Sequence, residues 1–209
     1  MTITGLLGGS FNPAHRSHRR ISLFAIDALG LDEMWWLVSP GNPLKPVEGM
    51  APHAARLASA QRMARRAPIK ATAIETRLGT RYTVDTLRKL VRTYPNRRFI
   101  WVMGADNLAQ FHRWRGWREI ARTVTIAVVA RPGYDAGARA SRAMGWLRRF
   151  VLPAAKARDW TTWSPPALVL LRFTPDSGSA TRLRAREPGW HLTYNQKALR
   201  DPVSRRPVH

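Results

Sequence analysis

Near-continuous apolar runs occur at residues 3–7, 34–38, 69–74, 99–103, 124–130 and 167–171. Short runs without polar alternation predict strands covered on both faces. Between them the apolar period changes. Ile21, Phe24, Ala25, Ala28 and Leu29 fall at i, i+3, i+4, i+7 and i+8, one stripe of a helix that starts between His15 and His18. A second helix is predicted over 54–66 and a third over 83–94. The third turns Val84, Leu87, Leu90 and Val91 inward and is stopped by Pro95. An amphipathic element with a basic outer face is predicted over 139–150. Proline and glycine place loops at 40–43, 133–137 and 164–166. Strand and helix in alternation predict an α/β fold built on a doubly wound parallel sheet, with a small helical part near its carboxyl end. One domain over 1–200 is expected, followed by a basic tail over 201–209 that frays.

The chain has 209 residues and no cysteine. It is long enough to bury a core without disulfides. Lack of cysteine excludes a disulfide framework, a Cys–zinc site, an iron–sulfur cluster and a thiol nucleophile. No apolar run is long enough to span a bilayer, and the start at Met1 shows no secretory pattern, so a cytoplasmic protein is expected. The net charge is +22, from 35 basic and 13 acidic residues. Thirty of the basic residues are Arg and five are Lys, scattered along the whole chain. They form a solvated surface, or they serve a protein that meets anions. Non-specific binding of nucleic acid is expected from the field alone. Aromatic residues are not interleaved with the charges as on an RNA-recognition sheet.

The most informative stretch is Gly8-Gly9-Ser10-Phe11-Asn12-Pro13-Ala14-His15-Arg16-Ser17-His18, which follows the first strand and opens the first helix. Glycines there let backbone approach a ligand. The helix start offers free N–H groups and a positive dipole end to a phosphate. Two histidines three residues apart lie on one side of that helix and can donate to phosphate oxygens. A Gly-rich turn carrying two surface histidines would read the same way. The pattern is neither a Walker loop nor Gly-x-Gly-x-x-Gly. No third residue of suitable spacing completes a metal site with the histidines, so no protein metal cage is predicted.

This stretch resembles the signature of the nucleotidyltransferase superfamily marked by His-x-Gly-His. Within it, Gly-Gly-Ser-Phe-Asn-Pro-x-His is similar to the bacterial nicotinate-nucleotide adenylyltransferases. Four further blocks follow in that family's order: Ser39-Pro40-Gly41-Asn42-Pro43-Leu44-Lys45, Glu75 to Leu87, Gly104-Ala105-Asp106-Asn107-Leu108 with Trp114, and Ser179-Ala180-Thr181-Arg182-Leu183-Arg184. The resemblance implies a Rossmann-like fold. It also implies transfer of AMP from ATP to nicotinate mononucleotide, giving deamido-NAD and pyrophosphate by direct in-line attack. It makes His15, His18, Lys45 and Arg184 the catalytic set, gripping the ATP phosphates. Gly8, Gly9, Ser10, Phe11, Ser17, Gly104, Asp106, Ser179 and Thr181 would bind ATP, with Asp106 on ribose hydroxyls. Asn12, Tyr82, Thr83, Trp114, Arg115 and Arg131 would bind the mononucleotide. Trp114 would stack on the pyridine, while Thr83 and the backbone near Arg115 meet its carboxylate; Trp117 is a weaker candidate. Mg2+ is implied with ATP, coordinated mainly by phosphate.

Two positions depart from the family pattern. Ser17 stands where the motif has glycine, so altered ATP affinity is expected. Arg81 stands where serine is usual and adds charge beside the mononucleotide. Competing expectations are a related adenylyltransferase acting on phosphopantetheine or nicotinamide mononucleotide, and a basic nucleic-acid-binding protein on the same fold.

Overall fold

The computed structural model describes residues 1–41, 49–130, 135–173, 180–194 and 199–208. Lys45, Arg131 and Ser179 lie outside the described residues, as does part of each loop expected at 40–43 and 133–137.

Seven strands form one parallel sheet: β1 (Thr2–Gly9), β2 (Glu33–Val38), β3 (Ile69–Thr72), β4 (Arg97–Gly104), β5 (Thr125–Ala130), β6 (Val151–Leu152) and β7 (Leu168–Arg172). The strand order is β3-β2-β1-β4-β5-β7-β6. The order reverses between β1 and β4, where a doubly wound sheet opens a crevice at its carboxyl edge. All six sequence-predicted strands are present. Ile74, expected to end the third, instead begins a helix.

Helices cover both faces. α1 (Arg16–Leu29) and α2 (His53–Ala64) lie on one side, where Ile21, Ala25, Leu29 and Leu57 pack on Leu7, Trp36, Val38, Ile100 and Val102. On the other side are α3 (Ile74–Leu78), α4 (Thr83–Thr93), α5 (Ala105–Gln110) and α6 (Trp117–Thr123). There Val84, Leu87, Leu108 and Ile120 pack on Leu6, Trp35, Trp101 and Met103. Strands whose alternate residues meet two apolar layers carry no polar face, which is why they read as unbroken apolar runs. α7 (Asp135–Arg139), α8 (Arg142–Leu147) and α9 (Ala180–Arg186) are short. The element expected over 139–150 is thus divided, and residues 135–137, expected in a loop, are helical.

One further expectation fails for a physical reason. Val91 is 41% exposed, because the last turn of α4 runs into solvent and Tyr94 closes over Trp35 and Phe99 instead. The tail after Asp201 carries structure of its own. β8 (Leu199–Arg200) and β9 (Pro207–Val208) pair antiparallel, and Asp201 between them is 2% exposed. Its carboxylate accepts from Thr72 Oγ1 at 2.8 Å, Ala73 N at 2.6 Å, Val203 N at 2.9 Å and Ser204 N at 2.7 Å. A buried carboxylate needs such donors, and the turn supplies them.

Candidate active site

The glycine stretch runs from the end of β1 into α1, at the crevice between β1 and β4. Gly8 is required by space: a Cβ there would stand 2.6 Å from Trp101 Cη2. Phe11 takes a left-handed backbone, φ 46°, a conformation that costs a non-glycine residue about 1 kcal/mol or more. It is held by stacking on Trp36, ring centres 5.1 Å apart. His15 is the N-cap residue of α1, and His18 lies one turn on. Their rings are 3.8 Å apart. His15 N–H donates to His18 Nδ1 at 3.2 Å. An accepting Nδ1 places the proton of a neutral His18 on Nε2, the nitrogen that can donate outward. The imidazole lies against Phe11, at 4.9 Å, and the edge of Trp36, at 6.1 Å. Trp36 Nε1–H donates to Ser22 Oγ, which donates to the His18 carbonyl. The sequence forms this cradle because Phe11, Trp36 and Ser22 come from a loop, a strand and a helix that meet only in the fold.

Two of the expected residues prove to tie the loop together. Asn12 is 8% exposed, with its amide engaged: Nδ2 donates to Gly49 O and Oδ1 accepts from Ala51 N. Arg184, on α9, donates to Asn12 O at 2.7 Å and to Thr181 Oγ1 at 3.3 Å. This brings α9 onto the glycine loop beside the histidines. Ser17 is wholly buried, so its hydroxyl meets protein rather than solvent. After β4, Gly104 is the N-cap residue of α5, and the Asp106 carboxylate folds back over the space a Cβ of Gly104 would fill. An acid in the first turn is favoured by the helix dipole.

Four of the six mononucleotide candidates, Tyr82, Thr83, Trp114 and Arg115, gather on the opposite wall. Tyr82 is the N-cap residue of α4 and Thr83 its first residue. The Arg115 guanidinium lies 4.7 Å over the Tyr82 ring. Gly116, at φ 61°, presses on Val84, so the loop after Trp114 packs on the start of α4. Trp114 stands edge-on to Trp101 at 6.1 Å and to Phe111 at 5.4 Å. Trp101 therefore touches both walls, Gly8 on one side and Trp114 on the other. Trp117 is 9% exposed and packs among Phe111 and Trp146, as a core residue.

Three residues were missed by sequence reasoning. Arg56, 1% exposed, donates to Ala51 O at 2.9 Å, Ser10 O at 2.7 Å, Ser39 O at 2.7 Å and Pro40 O at 3.2 Å. One guanidinium thus joins the glycine loop to the loop after β2. Burial lowers its pKa to about 10. The available signal was a lone Arg within the small-residue run from Ala54 to Ala60. The others are Glu75, whose carboxyl is buried behind Tyr82, and Asp201. Among the described residues no group of three His, Asp or Glu could hold a metal ion. Among them, too, no helix is long and apolar enough to cross a membrane. Arginines do meet aromatic faces on the helices: Arg118 lies over Trp117 and Trp146, Arg122 over Trp146.

Residues 6–186 match the cytidylyltransferase-like family. A probable nicotinate-nucleotide adenylyltransferase of Erythrobacter litoralis is 64% identical over 205 residues, covering 98% of this chain and 94% of that one. One from Parvibaculum lavamentivorans is 52% identical, covering 90% and 93%. Among solved structures, the Plasmodium falciparum nicotinic acid mononucleotide adenylyltransferase complexed with NaAD shares the fold. Its TM-score is 0.66 at 14% identity, covering 88% of this chain and 83% of that one. The chain belongs to the cytidylyltransferase-like family of nucleotidyltransferases, and within it to the nicotinate-nucleotide adenylyltransferases. The Rossmann-like architecture agrees with the sequence expectation.

Proposed function

We propose that this enzyme of NAD biosynthesis transfers AMP from ATP to nicotinate mononucleotide by direct attack. A phosphate oxygen of the mononucleotide forms a bond to the ATP α-phosphorus as the bond to pyrophosphate breaks. No covalent enzyme intermediate is needed, so the protein's work is positioning and charge stabilisation. The observation that carries this reading is the His15–His18 pair at the start of α1, rings 3.8 Å apart, with Nδ1 of His18 occupied as an acceptor. That arrangement supports an Nε2–H donor for charge growing on the phosphorus oxygens. The dipole of α1 adds to it. Arg184 contributes a permanent charge beside the same loop. Lys45 and Ser179 are assigned phosphate contacts, and Arg131 a mononucleotide contact, by family resemblance.

Gly8 and Gly9 let the nucleotide approach the backbone, and Asp106 accepts from a ribose hydroxyl. Trp114 stacks on the pyridine ring. Thr83 and the amides beside Arg115 hold its carboxylate, which favours the acid over the amide. Mg2+ would belong to the ATP substrate, held by phosphate oxygens and water, and would supply charge neutralisation there.

The test is pyrophosphate release from Mg-ATP after nucleic acid has been stripped at high salt. Nicotinate mononucleotide, nicotinamide mononucleotide and phosphopantetheine are offered separately. Fast release with the first alone is expected. Release with another acceptor overturns the roles given to Trp114 and Thr83. No release with any of them overturns the activity.

A further inference from the structure

In a chain with 35 basic residues, Glu75 is a buried acid. It sits in the first turn of α3 and is 8% exposed. Among the described residues no ion pair reaches it. Arg77 and Arg81 are exposed, and Lys89 donates to Leu78 O. Arg88 is paired with Glu119 and Asp85. The nearby carboxylate of Asp201 is held by Thr72, Ala73, Val203 and Ser204.

Glu75 instead faces a hydroxyl network. Thr86 Oγ1 lies 3.1 Å from Glu75 Oε1, 2.9 Å from Thr80 Oγ1 and 3.2 Å from Tyr82 O. Thr80 N–H donates to the Glu75 carbonyl at 3.0 Å. The short turn between α3 and α4 is therefore tied to Glu75 at its start and to Thr86 at its end. One hydroxyl carries one proton and cannot serve three oxygens. If Glu75 is protonated, its O–H donates to Thr86 Oγ1, and the Thr86 proton remains for Tyr82 O. If Glu75 is ionised, the stronger charge-assisted bond takes the Thr86 proton to the carboxylate. The Tyr82 carbonyl then loses that donor.

We propose that Glu75 is a positioning residue for the acceptor: acting through Thr86, it sets the register of the turn that presents Tyr82 and Thr83. The proposal rests on the reading of those two residues as acceptor contacts. Burial holds the Glu75 carboxyl well above the usual carboxylate range, at about 7, with the Thr86 bond opposing the rise. The network therefore changes its proton arrangement as the pH passes neutrality.

The experiment compares wild type with Glu75→Gln across neutral pH. Glutamine donates to Thr86 as the protonated acid does. Groups that titrate in both enzymes cancel in the ratio. The KM for nicotinate mononucleotide is expected to rise about 3- to 10-fold above pH 7 in wild type relative to Glu75→Gln. The KM for ATP should be the same in both. Thr86→Val should raise the acceptor KM at all pH values, and Thr86→Ser should restore it. A protonated-carboxyl infrared band should be present below pH 7, fade above it and be absent from Glu75→Gln. Thr83→Ala separates the two readings. If it raises the acceptor KM while the wild-type and Glu75→Gln profiles coincide, the proposal is overturned. If it leaves the acceptor KM unchanged while the profiles differ as expected, the Thr83 contact is wrong and the positioning role stands. Equal changes in ATP KM, acceptor KM and kcat also overturn it, since they mark a merely structural residue.

Discussion

Arg56 and Glu75 are both buried titratable groups with no opposite charge paired to them among the described residues, and the molecule treats them in opposite ways. Arg56 keeps its charge. Four carbonyl oxygens from two loops surround it, and a pKa of about 10 leaves it protonated at neutrality. Glu75 holds its charge only weakly. Its side-chain partner is a neutral hydroxyl, and a pKa of about 7 leaves it near half-protonated. Arginine starts so far above neutral pH that burial cannot strip it, whereas a carboxyl has little margin. The glycine loop is thus pinned by a fixed charge, whereas the turn between α3 and α4 holds a group that titrates near neutrality.

Arg56→Met tests the fixed side and carries the largest expected effect. It leaves four carbonyls, buried or part-buried, without this donor, for a loss of about 4 kcal/mol, read by urea denaturation. Arg56→Lys should recover only part of it, since one ammonium cannot span the same four acceptors. Glu75→Gln tests the other side through stability. The folded-state pKa lies above the unfolded value, so this contribution is full below about pH 4.5 and is lost as pH rises through about 7. Glu75→Gln should therefore gain on wild type over that window, by on the order of 3 kcal/mol at most. Thermal melts of the pair across pH would show it, and parallel curves would refute it. Asp201→Ala should cost about 2 kcal/mol, because the Thr72 hydroxyl and three amides lose their acceptor. Its melting temperature should fall while the KM for ATP stays put. Ser17→Gly should be the mildest. A buried serine offers a nucleotide no surface, so the ATP KM should hardly move, while a glycine within α1 costs about 1 kcal/mol or less. A large gain in ATP affinity would show that the hydroxyl does crowd the nucleotide.

Much of this was legible in the sequence, for identifiable reasons. The six longer strands announced themselves because burial on both faces demands apolar runs. β6 has two residues and α3 five, too short for any period to emerge. The glycine loop, the histidine pair and the Tyr82–Thr83 block were visible because each is contiguous. Arg56 was not, since its acceptors Ser10, Ser39, Pro40 and Ala51 converge only in three dimensions. Glu75 lay inside a recognised block, but nothing in a string of letters says that a carboxyl is buried. That the Asn12 amide ties Gly49 and Ala51 to the glycine loop was equally out of reach, since those residues lie 37 and 39 positions away.

The Asp201 clasp has a consequence for how the chain is made. Asp201 lies 129 residues after Thr72. During synthesis from the amino end, the crossover from β3 to α3 forms long before its acceptor leaves the ribosome. Until then, the Thr72 hydroxyl and the Ala73 amide have only water or a chaperone to satisfy them. A stretch that emerges late is thus a latch on an edge laid down much earlier, and a nascent chain stalled before residue 201 should carry that edge open.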